Sequence, residues 1–257
     1  MSKTMIITGA SRGIGAAIAR EAWARGFNLV LNARSGNALN SLAKSLDVSA
    51  KRVAAVAGDV SEKEVCNRIV DTALERFGGV DVLVNNAGIL EPVGPLHAVD
   101  ANEWVQNLMV NVAGPVLLTR CALVSLRQRH GCVINISSGA AVKAVRGWSA
   151  YCTSKAALNH FNRMLCAEYP EIVAIAVSPG MTATDMQATI REQGEGRMPK
   201  DEYRRFVDAH RKGELRSPGD VARAIVALGR YAPQELSGKF VTVEDPRVEA
   251  LLKAVAS

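Results

Sequence analysis

The sequence predicts an α/β protein in which one parallel sheet of about seven strands is flanked by helices on both faces. Short apolar runs alternate with longer helical patterns along the 257 residues, an order typical of right-handed β-α-β units. Runs such as residues 133–136 do not alternate between apolar and polar side chains, as expected for strands that are buried on both faces. Hydrophobic residues make up 48% of the chain, which is enough for a sizeable core.

The predicted elements follow one another in a regular order. Each strand is a short apolar run, and these runs cover residues 5–7, 29–31, 52–57, 81–84, 133–136, 172–177 and 240–243. Each helix is a longer run between strands, over residues 13–25, 38–46, 62–77, 102–129 and a segment around residue 151 that ends near residue 168, with another helix after Pro218. No linker rich in Pro, Gly or Ser and no repeat divides the sequence, so we expect one doubly wound domain over residues 1–257.

Residues 183–216 break this alternation. Within them, residues 190–197 are polar and punctuated by glycine. A long insertion between the sixth strand and the helix after Pro218 is typical of a mobile substrate lid. A solvated loop without a function is the alternative.

The charged residues are spread along the chain. There are 31 Lys and Arg against 25 Asp and Glu, giving a net charge of +6. The densest basic groups, at residues 204–205 and 211–212, are interleaved with Asp and Glu. This distribution predicts a solvated surface and no nucleic-acid partner, with part of the excess positive charge available to an anionic cofactor.

The five cysteines are scattered and lack Cys-x-x-Cys spacing. That pattern favours reduced thiols in the cytoplasm, without a disulfide framework or a metal site. The sequence does not open on a charged leader followed by an apolar run, and it lacks a stretch of about 18 uninterrupted apolar residues. We therefore expect neither a signal peptide nor a membrane partner.

Tyr151 and Lys155 are four residues apart in a segment that is predicted to be helical. Side chains with this spacing share one face of a helix, so the ammonium group can lie beside the phenol. A nearby positive charge favours the phenolate and lowers the pKa of the tyrosine towards the working range of a general acid or base. The alternative is an ordinary solvated helix face.

A glycine-rich turn lies between the first strand and the first helix. Glycines at positions 9, 13 and 15 leave the turn free of side chains, so a pyrophosphate can approach the backbone at a helix N-terminus, where free N–H groups favour anions. This placement is typical of a dinucleotide-binding (Rossmann) domain. The expected cofactor contacts of this turn are Gly9, Ser11, Arg12, Gly13, Ile14 and Gly15.

The end of the second strand indicates which dinucleotide binds. NAD-specific sites usually place an acidic residue there, but residues 31–35 contain no acid and include Arg34. Arg12 adds a second guanidinium nearby, and two such groups suit a 2′-phosphate, which predicts NADP(H). The alternative is that Arg34 is a solvated loop cation and cofactor choice is loose. Asp59 and Val60, after the third strand, are expected to meet the adenine, whereas Asn85 either contacts the cofactor or steadies the central sheet.

With these residues in hand, the chain resembles the short-chain dehydrogenase/reductase family over nearly its whole length. The matching motifs are Thr-Gly-x-x-x-Gly-x-Gly at residues 8–15, Asn-Asn-Ala-Gly at 85–88, Asn111, Ser138, Tyr151-x-x-x-Lys155 and Pro179-Gly180. The resemblance implies further cofactor contacts from Ala87, Gly88, Tyr151, Lys155, Pro179, Gly180, Thr182 and Thr184. It also implies a homodimer or homotetramer.

The resemblance also implies a role for each catalytic residue. Tyr151 would protonate the substrate carbonyl as hydride arrives, and Lys155 would lower the pKa of Tyr151 and bind the nicotinamide ribose. Ser138 would hold the substrate oxygen, and Asn111 would hold a water that links Lys155 to solvent.

Within the family, the chain is similar to the benzil reductase and sepiapterin reductase branch. Residues 87–93, 137–140, 147–151, 155–161 and 237–240 resemble benzil reductases, and the Ala-Arg-Ser sequence that ends the second strand resembles sepiapterin reductases. Sepiapterin reductases hold the pterin with an Asp in the last strand, where this chain has Thr242, while Asp245 is out of register. A pterin substrate is therefore not favoured.

The residues expected around the substrate carbonyl are mostly apolar, with Glu91 as the main exception. They are Leu90, Val93, Ala140, Val142, Trp148, Met181 and Met186. An apolar pocket with a few polar groups suits a hydrophobic ketone or a 1,2-diketone, although core packing also explains the Trp and Met residues. The sequence thus predicts an NADPH-dependent carbonyl reductase. The alternatives are a 3-oxoacyl thioester reductase, a secondary-alcohol dehydrogenase and a non-catalytic NADP(H)-binding redox sensor.

Overall fold

Seven parallel strands form a single sheet in the computed structural model, which describes residues 2–256 and their side chains as far as residue 253. The strands are β1 (Thr4–Thr8), β2 (Asn28–Ala33), β3 (Val53–Ala57), β4 (Val82–Asn85), β5 (Cys132–Ile136), β6 (Val173–Ser178) and β7 (Phe240–Thr242). Their order in the sheet is β3-β2-β1-β4-β5-β6-β7, and every neighbouring pair is parallel. The predicted fold class is therefore confirmed.

Ten α-helices accompany the strands in the described residues. They are α1 (Gly13–Ala24), α2 (Gly36–Leu46), α3 (Lys63–Phe77), α4 (Ala101–Leu108), α5 (Gly114–Gln128), α6 (Ser149–Glu168), α7 (Asp185–Gln193), α8 (Lys200–Arg211), α9 (Pro218–Tyr231) and α10 (Pro246–Ala256). A π-helical turn, Met109–Ala113, joins α4 to α5, where the sequence predicts only helix. The C-terminal helix α10 is an element that the sequence analysis does not predict.

Each face of the sheet is covered by its own layer of helices. Met5 and Ile7 pack into the core beneath α1, α2, α9 and α10, whereas Ile6 packs into the core beneath α3, α5 and α6. All five residues of β1 are buried. Burial on both faces explains why the strands contain apolar runs without alternation.

The order of the strands reverses at β1, which pairs with β2 on one side and with β4 on the other. In open sheets of this kind, ligands bind at such a switch point, beyond the carboxyl ends of the strands. At this edge the Thr8 hydroxyl accepts hydrogen bonds from the backbone N–H groups of Asn86 and Ala87, each at 3.0 Å. The glycine-rich turn and the segment after β4 are thus held together at the switch point.

Residues 183–216 form two helices, α7 and α8, where the sequence predicts a polar insertion. The two ends of the segment lie together, because Thr182 pairs with Arg216 in an isolated parallel bridge. Phe206 and Ala209 give α8 a buried face, which explains why this polar stretch folds as a helix. That the segment moves as a lid stays a prediction.

One helical stretch of the described chain, Ala101–Gln128, is long and apolar enough to cross a membrane by length and composition alone. In the most apolar 18-residue segment of this stretch, 44% is buried inside the protein. Leu118, Ala122 and Leu126 of this stretch lie in the core beneath α3, α5 and α6. A core helix meets the same criteria, so the stretch is weak evidence for a membrane.

Candidate active site

Tyr151 and Lys155 lie on consecutive turns of α6, and both side chains are buried. The Lys155 ammonium donates a hydrogen bond to the backbone carbonyl of Ile136 at 2.8 Å, which ties α6 to the end of β5. Lys155 Nζ lies 5.6 Å from the centroid of the Tyr151 ring. The i, i+4 spacing therefore places the ammonium beside the phenol, as the sequence predicts.

Burial governs the acid–base properties of both groups. Desolvation raises the pKa of Tyr151 to about 12, and a hydrogen bond with the Ser138 side chain opposes that rise. Desolvation lowers the pKa of Lys155 to about 8. The sequence predicts a lowered tyrosine pKa, but burial of the phenol raises the pKa, because desolvation disfavours the charged phenolate.

Asn111 lies in the π-helical turn, and protein groups saturate its amide. Its side-chain nitrogen donates to the Ile89 carbonyl at 2.9 Å and to Ser154 Oγ at 3.1 Å. Its oxygen accepts from the Ile89 backbone N–H at 2.9 Å. A Cβ at Gly88 would lie 3.1 Å from Asn111 Oδ1 and 3.5 Å from Lys155 Nζ, so both predicted catalytic residues converge on this glycine. The water that Asn111 is expected to hold stays a prediction.

Ser138 follows β5 and begins a short 3₁₀ turn, Gly139–Ala141. Its hydroxyl accepts a hydrogen bond from the Ala140 backbone N–H at 3.2 Å, and its side chain opposes the rise that burial causes in the pKa of Tyr151. The end of β5 therefore holds Ser138 beside Tyr151, 13 residues away in sequence.

The sequence analysis does not single out Asn107 or Ser154, which complete this network. Asn107 is fully buried, and its side-chain nitrogen donates to the carbonyls of Ile89 at 3.2 Å, Leu90 at 3.3 Å and Glu91 at 2.7 Å. Its oxygen accepts from Asn111 Nδ2 at 3.0 Å. Asn107 thus fixes the loop after β4. The available signal was its position four residues before Asn111, which places both amides on one helical face.

The glycine-rich turn has the shape that a pyrophosphate requires. Gly9 and Gly13 have φ angles of 64° and 55°, and a Cβ at Gly15 would lie 2.2 Å from the Gly9 carbonyl oxygen. Within the described part of the chain, no side chain caps the N-terminus of α1 at Arg12. The free N–H groups of this first turn, with Ser11 and Ile14 alongside, fit an anionic phosphate.

Arg12 and Arg34 are both exposed at this end of the molecule. Arg12 forms an ion pair with Asp185 at the start of α7, with 2.9 Å between Nη1 and the carboxylate, and both side chains are mostly exposed. Arg34 follows β2 at the sheet edge where the sequence places the cofactor ribose. The sequence analysis does not consider Asp185. Because its carboxylate is paired with Arg12, it would compete with the cofactor phosphate for that guanidinium group.

Other predicted cofactor contacts are held by local hydrogen bonds. Asp59 Oδ1 accepts from the Ser61 backbone N–H at 2.9 Å, and the neighbouring Val60 is buried. Asn85 is also buried, and its side-chain nitrogen donates to Asn135 Oδ1 at 2.9 Å. This geometry supports the sheet-steadying interpretation of Asn85. Direct cofactor contact stays a prediction for all three.

The segment after β6 approaches the glycine-rich turn. Thr182 Oγ1 donates to the Pro179 carbonyl at 3.2 Å, and Thr184 Oγ1 donates to the Thr182 carbonyl at 3.3 Å. A Cβ on Gly13 would lie 3.4 Å from the Thr184 methyl group. The predicted cofactor contacts after β6 therefore border the same cleft as the glycine-rich turn. These contacts are Pro179, Gly180, Thr182 and Thr184. Ala87 and Gly88 enter it from β4.

An apolar cluster covers Tyr151, and we call it the pocket cluster. Its buried members are Leu90, Val93, Ala140, Trp148, Tyr151, Ile190, Met198 and Phe206, and Met181 and Met186 pack against it. Ile190, Met198 and Phe206 come from the segment 183–216, and the sequence analysis does not identify them. Val142 is 65% exposed and lies outside the cluster. Substrate contact by any of these residues stays a prediction.

Potential metal ligands do not gather in this region. Among the residues that the structure describes, no group of three or more His, Cys, Asp or Glu side chains could hold a metal ion. The five cysteines are all free thiols.

Several proteins that are similar to this chain are named as oxidoreductases. The family model described as short chain dehydrogenase matches residues 3–195. A Saccharomyces cerevisiae protein named benzil reductase ((S)-benzoin forming) is 31% identical over 261 residues, covering 96% of this chain and 98% of its own. A Bacillus subtilis protein of the same name is 33% identical over 236 residues, covering 87% and 91%.

A solved structure shares the fold closely. The crystal structure of a short chain dehydrogenase/reductase from Saccharomyces cerevisiae superposes with a TM-score of 0.93 at 33% identity, covering 97% of this chain and 99% of its own. The similarity thus extends over the sheet and both helix layers.

Proposed function

This chain belongs to the short chain dehydrogenase family of oxidoreductases, and on that basis we propose that it is an NADPH-dependent carbonyl reductase. The proposed substrate is a hydrophobic ketone or 1,2-diketone. The observation that carries the proposal is the arrangement around Tyr151: its phenol lies close enough to the Ser138 side chain for that side chain to lower its pKa, lies beside the buried Lys155 and belongs to the pocket cluster.

Each of these side chains has a chemical task in carbonyl reduction. When bound, the nicotinamide cofactor supplies hydride. Tyr151 donates a proton to the carbonyl oxygen, and the phenol, whose pKa burial raises, carries that proton at neutral pH. Ser138 holds the same oxygen, and the Lys155 ammonium, below its pKa of about 8, stabilises the negative charge that remains on Tyr151.

The preference for NADPH rests on charge at the cofactor end. Arg34 and Arg12 supply two exposed guanidinium groups, and residues 31–35 supply no carboxylate for a ribose hydroxyl. The family uses NAD(P)H, and the structure of a 28% identical alcohol dehydrogenase from Thermococcus sibiricus, with a TM-score of 0.78 over 94% of this chain and 96% of its own, contains 5-hydroxy-NADP. Both observations support NADP(H), the second only by similarity.

The preference for an aryl or alkyl diketone rests on the pocket cluster and on the similar benzil reductases. An apolar wall with one polar corner formed by Ser138 and Tyr151 suits a substrate that is hydrophobic except at its carbonyl groups. Thr242 on β7 is exposed and offers no carboxylate to a pterin.

Loss of NADPH absorbance in the presence of benzil tests this proposal, with NADH run in parallel. We expect turnover with NADPH, a much slower reaction with NADH, and a loss of about 10²- to 10⁴-fold in kcat for Tyr151→Phe. Tyr231→Phe is the matched control, because that phenol is half exposed on α9, and it should retain full activity.

Three results would count against the proposal in different ways. Near-normal turnover by Tyr151→Phe would show that Tyr151 is not the general acid. Equal rates with NADH would leave the chemistry standing and overturn the 2′-phosphate interpretation. Tight NADPH binding without turnover of any member of a broad carbonyl panel would favour a redox sensor.

A further inference from the structure

Two neighbouring residues at the end of β5, Ile136 and Ser137, are bonded to α6. The Ile136 carbonyl accepts a hydrogen bond from the Lys155 ammonium at 2.8 Å, and the Ser137 hydroxyl donates to Asn159 Oδ1 at 2.6 Å. Lys155 and Asn159 are four residues apart and both buried, so they lie one turn apart on the same face of α6. The end of the strand therefore holds two consecutive turns of the helix.

The peptide group between Ile136 and Ser137 is bonded at both ends. Its carbonyl accepts from Lys155, and its N–H, which belongs to Ser137, donates to the Val177 carbonyl of β6 at 2.8 Å. Because a peptide group is planar, the direction of this carbonyl follows from where the N–H and the Cα of Ser137 are held. The Ser137 side chain is buried and is held in turn by Asn159. The position of the acceptor for Lys155 thus depends on the Ser137–Asn159 hydrogen bond.

Stability alone explains this buried polar pair poorly. A buried hydrogen bond adds little net stability, and replacing both partners by apolar groups of the same shape can be nearly neutral. The same helix buries Leu158 and Leu165, so apolar side chains are accommodated on its inner side. A hydrogen bond differs from an apolar contact in that it also fixes direction. Direction is what an acceptor for Lys155 requires.

We propose that Ser137 and Asn159 are positioning residues for the reaction: they fix the peptide group that accepts from Lys155 and so place the ammonium beside the Tyr151 phenol. This inference rests on the proposed reductase function. In this role neither side chain touches the substrate, because both act through Lys155. A displacement of about 1 Å within an active site can cost about 10²-fold in rate, so loss of the bond should lower kcat.

The test compares two substitutions on the same helix. Asn159→Leu removes the acceptor of Ser137, and we expect kcat for benzil with NADPH to fall about 5- to 100-fold while the KM for benzil changes less than about 3-fold. Asn162→Leu is the matched control. Asn162 is also buried, and its amide forms hydrogen bonds to β5 and β6 at 3.1 and 3.2 Å, but it lies seven residues beyond Lys155.

The control variant separates positioning from stability. Asn162→Leu breaks two buried hydrogen bonds, so it should lower the urea midpoint of unfolding at least as much as Asn159→Leu does. Its kcat should nevertheless change less than about 3-fold, because the acceptor of Lys155 is left in place.

A second variant keeps the inference testable if Asn159→Leu folds poorly. Ser137→Ala removes the donor with a smaller change in volume, and it should lower kcat by a similar factor. The double variant Ser137→Ala/Asn159→Leu should then lose little more activity than either single variant, since both substitutions break the same bond.

Three outcomes would overturn the inference alone: equal losses of kcat in Asn159→Leu and Asn162→Leu, unchanged kcat in Ser137→Ala, or fully additive losses in the double variant. The first would show that any lost amide bond on α6 disturbs the site. Absence of turnover of benzil and of every other carbonyl by the unaltered protein would overturn the proposed function, and the inference with it.

Discussion

At the scale of single residues, Lys155 is a cation that the fold holds away from water. Only 4% of it is exposed, and its ammonium donates to the Ile136 carbonyl. Desolvation penalises the charged form, so the pKa falls from 10.5 to about 8. The predicted catalytic function of Lys155 therefore carries a cost in stability.

The free-energy cost of burying the charged Lys155 depends on pH, and the variant Lys155→Met tests the direction of that dependence. Folded Lys155 releases its proton near pH 8, whereas the unfolded chain keeps it until about pH 10.5, so the unfolded state binds more protons between these values. The wild-type free energy of unfolding, relative to that of Lys155→Met, should rise by up to about 3 kcal/mol across this window, since each pH unit contributes about 1.4 kcal/mol. Urea unfolding from pH 7.5 to 10.5 measures it.

The control for this series is Lys44→Met, on the exposed surface of α2. A difference between wild type and Lys155→Met that stays constant with pH would contradict a buried, desolvated ammonium group.

Residue spacing predicted the placement of Tyr151 and Lys155 but not their pKa values. The i, i+4 rule is local, so it locates the two side chains on one helical face. Burial raises the pKa of Tyr151, and the apolar cluster to which Tyr151 belongs includes Met198 and Phe206 from a segment about 50 residues away. No local pattern carries that information.

At the scale of elements, the first turn of α1 is the most tightly built part of the cofactor cleft. A Cβ at Gly15 would lie 2.2 Å from the Gly9 carbonyl oxygen and 2.6 Å from Asn86 Nδ2. Asn86 in turn donates to the Thr8 carbonyl at 2.8 Å. Gly15 therefore lies where the glycine-rich turn, β1 and the segment after β4 pack against one another. A methyl group at position 15 would push these segments apart.

We expect Gly15→Ala to destabilise the protein by at least about 1–3 kcal/mol and to abolish measurable NADPH binding, because overpacking moves the turn. Gly219→Ala is a matched control near the N-terminus of α9, where the nearest atom to the new Cβ is Ser217 Oγ at 3.6 Å. That variant should gain about 0.5–1 kcal/mol. Chemical denaturation and cofactor titration measure both, and normal NADPH binding by Gly15→Ala would refute the predicted pyrophosphate site.

Element boundaries show where sequence patterns stop being informative. The helical stretch 102–129 was predicted as helix, but Pro115 has no N–H to donate to the Asn111 carbonyl, and the helical register changes at the π-helical turn. The polar stretch 183–216 gave no strong helical signal, yet Phe206 of α8 packs into the pocket cluster and Ala209 is buried. In both cases tertiary contacts decide the local structure.

At the scale of the whole molecule, the sheet order explains why residues far apart in sequence converge. The glycine-rich turn after β1, the Asn-Asn-Ala-Gly segment after β4, Ser138 after β5 and Pro179 after β6 all follow carboxyl ends of parallel strands. Four neighbouring strands thus bring the segments of the cofactor cleft and Ser138 to one edge of the sheet. The alternation of strands and helices was sufficient to predict this convergence, because parallel crossovers force it.

The outer surface of the helices α4 to α6 offers a prediction about assembly. Val105, Met109, Val124 and Met164 are 55%, 40%, 69% and 44% exposed on this side of the sheet. Several large apolar side chains exposed on one helical layer are typical of a protein–protein interface. We predict a homodimer or homotetramer that buries them.

Val124→Lys tests this prediction, because it places an unpaired charge in the expected interface, and it should weaken association at least about 100-fold. Sedimentation velocity over a range of concentrations measures the change, and the variant should sediment as a smaller species than the unaltered protein. Val48→Lys is the control, since Val48 is 94% exposed beyond α2, on the opposite helix layer. A wild-type monomer at high concentration, or an unchanged Val124→Lys assembly, would place any interface elsewhere on the molecule.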